Sequence, residues 1–254
     1  MHIQTLGSGP DLVLIHGWAL HGGVFEPLAQ RLADRFTLHL VDLPGHGHSR
    51  DPDEPLALAP VVSQIAAQVP PAWWLGWSLG GLFALRAASV LPTVRGLVMV
   101  AATPRFVRAA DWPHAVEPSV FERFGQELER DYAGTLDRFI ALDTVGSEHG
   151  RAELRTLRAL LGARGEPAAE ALHAGLGLLE GSDLRRSLPG LKVPSLWLAG
   201  SRDRLVDPRG MAAAAALAPG SRFVELAGAG HAPFLGHVDA VAAQLRALAD
   251  NTAP

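Results

Sequence analysis

Cysteine is absent from the chain, which excludes disulfides, thiolate metal sites and a cysteine nucleophile. Lysine is nearly absent too: Lys192 stands alone, and positive charge rests almost wholly on arginine. No Lys/Arg run occurs and the net charge is −4, so general nucleic-acid binding is not expected. No apolar stretch approaches the ~20 residues that a membrane-spanning helix needs. The opening MHIQTLGSGPDLVLIHG also lacks the charged start and long apolar core of a signal peptide. A cytoplasmic protein without a membrane partner is the expectation.

What is present suits a folded α/β protein. The 254 residues are 48% hydrophobic and 19% charged, enough for a sizeable core in one large domain with room for an insertion. Short continuous apolar runs recur at Asp11–Ile15, Phe36–Val41, Ala72–Gly76, Arg95–Ala101 and Pro194–Ala199, and a short strand is expected at Ser221–Leu226. Helical lengths separate them, at Phe25–Asp34, Pro60–Val69, Leu79–Leu91, Arg209–Leu217 and Val238–Ala249. Such runs predict a mostly parallel sheet covered by helices on both faces. Between about residues 106 and 183 the strand runs give way to amphipathic stretches. That texture predicts a helical cap at 106–183, inserted into a core made of 1–105 and 184–254.

In such sheets the chemistry gathers at the carboxyl ends of the strands. One of those ends carries Gly76-Trp77-Ser78-Leu79-Gly80, a serine between two glycines at the spacing of a sharp strand-to-helix turn. The five-residue pattern alone also fits a capped turn. A nucleophilic serine needs a base, and the base needs a carboxylate that fixes its tautomer, following in the order Ser, Asp, His. Asp203 and His231, each on a loop after a late strand, fit that order. Asp207 and His237 are their rivals, although Asp207 precedes Pro208 at a helix start and reads as an N-cap. His16 reads as a structural histidine tying loops together, and His46 and His48 as surface residues. The amides of Leu79 and of Trp18, in the early loop His16-Gly17-Trp18, are the candidate oxyanion donors. Trp77 reads as core. Arg151, Arg155 and Arg158 fall on one helix face, with Arg138 before and Arg164 beyond. They make either a solvated face or a platform for an acidic partner. The scattered histidines give no metal-ligand spacing, and no metal is expected.

These residues resemble the α/β-hydrolase superfamily over nearly the whole chain. Within it, LIHGWAL, FTLHLVDLPGHGHS, WWLGWSLGGL, DWP, RFIAL, GSRDRLV and AGAGHAPFLGH are similar to the pimeloyl-acyl-carrier-protein methyl ester esterase family of biotin synthesis. The resemblance implies an α/β-hydrolase fold, a cofactor-free serine carboxylesterase, an acyl-carrier-protein partner and a monomer. It implies Ser78 as nucleophile, His231 as base, Asp203 as acid, and Trp18 and Leu79 as oxyanion donors. It places Phe139, Ile140, Ala141, Leu142 and Asp143 along the acyl pocket. It also assigns Arg138, Arg151 and Arg155 to the carrier protein, with Arg158 on the same face, while Gly134 stands where that platform can carry another arginine. The alternatives are a general short-chain carboxylesterase, a perhydrolase or C–C hydrolase on the same triad, or a non-catalytic binding protein of the same fold.

Overall fold

The computed structural model describes residues 1–50 and 55–250. Seven strands form one sheet among the described residues: β1 (Ile3–Gly7), β2 (Asp11–Ile15), β3 (Thr37–Val41), β4 (Ala72–Trp77), β5 (Val94–Val100), β6 (Ser195–Gly200) and β7 (Ser221–Leu226). Their order is β1-β3-β2-β4-β5-β6-β7. All neighbours run parallel except β1, which pairs antiparallel with β3. The sequence gives no sign of β1. IQTLG neither alternates cleanly nor forms an apolar run, because an edge strand buries only part of one face.

The continuous apolar runs are explained by burial on both sides. Along β2, Val13 and Ile15 join one core cluster, while Leu12 and Leu14 join the other. The same division separates Trp74 from Trp73 and Leu75 in β4, and Trp197 from Leu196 and Leu198 in β6. Successive strand side chains point to opposite faces, so a strand covered on both faces must be apolar at every position. Helices α1 (Glu26–Leu32) and α10 (Val238–Asp250) cover one face through Leu28, Leu32, Val241 and Leu245. On the other lie α2 (Leu58–Ala66), α3 (Leu79–Val90) and α8 (Pro208–Leu217), through Val61, Ile65, Phe83 and Met211. A single-turn α9 (Pro233–Gly236) precedes α10.

Between β5 and β6 the chain inserts four helices: α4 (Ser119–Arg130), α5 (Tyr132–Asp143), α6 (Gly150–Leu160) and α7 (Ala169–Gly181). Phe121, Leu136, Phe139, Leu172 and Leu179 from these helices share a core cluster with Trp18 and Leu79 of the sheet side. Trp18 donates its indole N–H to the Leu172 carbonyl at 2.8 Å and packs edge-on against Phe139, with ring centres 4.6 Å apart. Arg164, after α6, turns inward rather than joining a surface platform: its guanidinium meets the buried Asp42 carboxylate at 3.2 Å and also bonds Gln4 and Glu26. None of the described helices is long and apolar enough to cross a membrane.

Candidate active site

Ser78 sits between β4 and α3 with φ +52° and ψ −121°, backbone geometry that a non-glycine residue adopts only under strain. The turn closes because its neighbours lack side chains. A Cβ on Gly76 would lie 2.2 Å from the Gly80 carbonyl oxygen, and one on Gly80 would lie 2.1 Å from that of Ile15. The Ser78 hydroxyl is 2.9 Å from His231 Nε2, and His231 Nδ1 is 2.8 Å from Asp203 Oδ2. With Asp203 ionised, Nδ1–H donates to the carboxylate and Nε2 accepts from the serine. The other Asp203 oxygen accepts the Leu205 and Val206 N–H groups at 2.8 and 2.9 Å, so the carboxylate is held at both oxygens.

Neither rival joins this line. Asp207 caps α8 by accepting the Arg209 N–H, and His237 lies at the α9–α10 corner. The loops that carry Asp203 and His231 touch: a Cβ on Gly200 would come within 2.1 Å of the Gly230 carbonyl oxygen. Trp77 belongs to the core, but its indole N–H also donates to the His231 carbonyl at 2.7 Å.

The His16-Gly17-Trp18 loop follows β2 and lies against the serine. A Cβ on Gly17 would be 3.3 Å from Ser78 Cβ. Leu79 opens α3, so its N–H has no acceptor within the helix. The Trp18 N–H makes no backbone hydrogen bond among the described residues. His16 fastens this loop, its Nδ1 donating to the Gly17 carbonyl at 2.7 Å and its Nε2 accepting the Leu43 N–H at 3.0 Å. Burial, followed by the nearby His46, depresses its pKa to about 3, so it stays neutral. His46 is no surface residue: it is fully buried, and burial lowers its pKa to about 4. A loop rich in Gly and Pro conceals that folding-under.

A narrow apolar cleft opens on the serine and histidine, lined also by Phe106, Phe121, Phe139, Leu179 and Leu205. Four of these five, Phe106, Phe121, Leu179 and Leu205, carry no sequence signal for a site, because they come from four separate segments and read simply as core.

A family model described as the alpha/beta hydrolase family matches residues 12–244. The chain belongs to the alpha/beta hydrolase family. This hydrolase is 68% identical over 246 residues to the pimeloyl-[acyl-carrier protein] methyl ester esterase of Stenotrophomonas maltophilia (strain K279a), covering 97% of this chain and 95% of that protein. It is 66% identical to the protein of the same name from Xanthomonas oryzae pv. oryzae (strain MAFF 311018), with 97% of each covered. Among solved structures, an esterase from Exiguobacterium antarcticum superposes with a TM-score of 0.86 at 20% identity, covering 98% of this chain and 95% of that one, a likeness of fold alone.

Of the α5 segment expected along the hydrolase's pocket, only Phe139 lines the cleft. Ile140 is buried in the opposite core cluster, and Leu142 packs at the edge of the first. Ala141, half-buried, is likewise not in the lining. A helix shows one face at a time, so five consecutive residues cannot all reach one cleft. Asp143 stays close for a different reason. Its carbonyl accepts the His231 N–H at 3.2 Å, while its buried carboxyl makes no hydrogen bond. Burial pushes that carboxyl up to about pH 7 for half-ionisation, with Asp203 and Glu153 adding to the rise and His231 opposing it. For His231, burial opposes the charged form, but the Asp203 carboxylate outweighs it and the net shift is upward.

The expected arginine platform of the hydrolase is partly self-neutralised. Arg158 holds the Asp137 carboxylate with two bonds of 2.6 and 2.8 Å, and Arg138 pairs with Glu127 and Asp131. Arg151 and Arg155 are exposed and have no carboxylate partner among the described residues. Gly134 also has a local reason. Asp131 caps α5 by accepting the Gly134 N–H, and a Cβ there would lie 2.0 Å from the Asp131 carboxylate.

Proposed function

We propose that this chain is a serine carboxylesterase that removes the methyl group from the methyl ester of pimeloyl-acyl-carrier protein. The hydrogen-bonded line Ser78–His231–Asp203 carries this reading, in a chain two-thirds identical over nearly its full length to esterases of that name. His231 Nε2 takes the serine proton as Ser78 Oγ attacks the ester carbonyl, and Asp203 steadies the imidazolium. The Leu79 and Trp18 amides hold the oxyanion, each worth about 2.7–4 kcal/mol of transition-state stabilisation. The His231 imidazolium then gives the serine proton to the methoxy oxygen as the ester C–O bond breaks, and methanol leaves. In the second half His231 takes a proton from water, which attacks the acyl-enzyme and frees the acid and Ser78.

The helices between residues 106 and 183 act as a cap over the serine, and the apolar cleft receives the linear acyl chain. Arg151 and Arg155 meet the acidic carrier protein directly. Arg138 and Arg158 join only by exchanging their own carboxylates for the partner's, an exchange that is cheap because exposed pairs are worth about 0–1 kcal/mol. The product is a free pimeloyl carboxylate on the carrier, ready for biotin synthesis.

The test is growth of a biotin auxotroph that lacks this esterase. The intact chain restores growth and Ser78→Ala does not. Failure of the intact, expressed chain to restore growth, alongside activity on small methyl esters, would favour a general carboxylesterase instead.

A further inference from the structure

Away from the serine, three side chains from two distant stretches converge at the junction of the inserted helices with the core. Glu148 and His149 lie between α5 and α6, and His237 lies at the α9–α10 corner. The Nε2 atoms of His149 and His237 stand 3.6 and 3.7 Å from the same Glu148 oxygen, Oε1. All three ligand atoms fall within 4.8 Å of one another. These separations exceed hydrogen-bond length. They approach the edges of a tetrahedron around zinc, about 3.3–3.5 Å for metal bonds of 2.0–2.2 Å. His237 Nε2 is buried and makes no hydrogen bond, a polar atom lacking the partner that burial demands.

The backbone shapes this meeting. Glu148 N–H donates to the Gly228 carbonyl at 3.0 Å, and a Cβ on Gly228 would lie 2.3 Å from the Glu148 carboxylate. A Cβ on Gly236 would press against His149 Cβ at 3.0 Å. Two glycines thus leave the space in which the three groups sit.

We propose that Glu148, His149 and His237 form a site for a zinc-class divalent cation that ties the inserted helices to the α9–α10 corner. Two imidazoles and a carboxylate suit zinc and its first-row neighbours, and not magnesium or calcium, which prefer all-oxygen shells. Glu148 and His149 are about half exposed, leaving a path for the ion and room for a water as fourth ligand. Arg151 and Arg155 border the same depression, so a bound ion adds to that positive face. The second His–carboxylate group, His2, Asp42 and His48, is a poorer candidate. Both Asp42 oxygens already accept bonds, from the Gly22 and His48 N–H groups and Arg164.

The experiment is a Zn²⁺ titration of the whole purified chain against a chromophoric chelator, with Mg²⁺ as control and thermal unfolding measured in parallel. One equivalent of Zn²⁺ is expected to bind, and Mg²⁺ not at all. At a hundredfold excess over Kd, zinc raises Tm by roughly 5–10 °C. Glu148→Gln and His149→Asn, both at exposed positions that tolerate change, each weaken binding at least about tenfold, whereas His48→Asn leaves it unchanged. Absence of saturable binding up to millimolar Zn²⁺ would overturn the proposal. So would stoichiometric binding that survives both Glu148→Gln and His149→Asn.

Discussion

The line of Ser78, His231 and Asp203 and the arginine face of α5 and α6 are both clusters of polar side chains, yet they lie in opposite surroundings. In the first, every member is almost fully buried. His231 is held by its ring on both sides, at its N–H by the Asp143 carbonyl and at its carbonyl by Trp77. In the second, Arg138 and Arg158 are about half exposed and pair chiefly across helix contacts, Arg138 of α5 with Glu127 of α4 and Arg158 of α6 with Asp137 of α5. Buried polar groups interact strongly and allow one arrangement. Exposed pairs are weak and can change partners. On the proposed function, reaction chemistry sits where geometry is over-determined, and partner recognition where it is negotiable.

The contrast predicts a descending series of effects. Ser78→Ala lowers kcat on any ester by on the order of 10⁶-fold, measured by methanol release. Asp203→Asn costs about 10⁴-fold, because it favours the wrong imidazole tautomer. Asp207→Ala instead leaves kcat unchanged and destabilises the fold by about 1 kcal/mol, as expected for loss of an N-cap. Trp77→Phe removes the bond to the His231 carbonyl and lowers kcat up to about tenfold; an undiminished rate would show that His231 needs no such support.

Effects of pH are smaller and have a defined sign. The His231 pKa is raised, so the rising limb of kcat/KM lies above the ordinary histidine value of about 6.5. Asp143 is half-ionised at about pH 7 in the fold, against 3.8 for an ordinary aspartate. The folded state therefore binds more protons than the unfolded chain across that window. The stability contributed by neutral Asp143 is full below the lower value and declines as pH rises through the upper one. Relative to the parent, Asp143→Asn gains stability in urea melts between about pH 4 and about pH 7, and the gain levels off above that. A constant difference across that range would show that Asp143 does not titrate there.

How much of this is visible in the sequence follows the same division. The central parallel strands announce themselves because burial on both faces disfavours polar positions, and the glycines around Ser78 announce the turn because a Cβ would collide there. Asp203 and His231, the pair that the structure brings to Ser78, fit the chain order, but Asp207 and His237 fit it too, and only the fold separates them. Half-exposed β1 has no such signature. Nor do Phe106, Phe121, Leu179 and Leu205, which are indistinguishable from ordinary core until the fold brings them to the serine. The arginine spacing on α6 is readable, but the carboxylates that occupy Arg138 and Arg158 depend on helix packing. His46 misleads, since the Gly/Pro loop around it folds inward. The meeting of Glu148 and His149 with His237 is invisible to any local spacing rule.

The most direct test of the central claim compares kcat/KM for pimeloyl-acyl-carrier-protein methyl ester with that for a small methyl ester, in the parent and in Arg151→Ala/Arg155→Ala. The account predicts that the double variant loses about tenfold or more on the carrier-bound ester, with a weaker salt dependence, and keeps its rate on the small ester. Equal rates on the carrier-bound ester before and after substitution would contradict it.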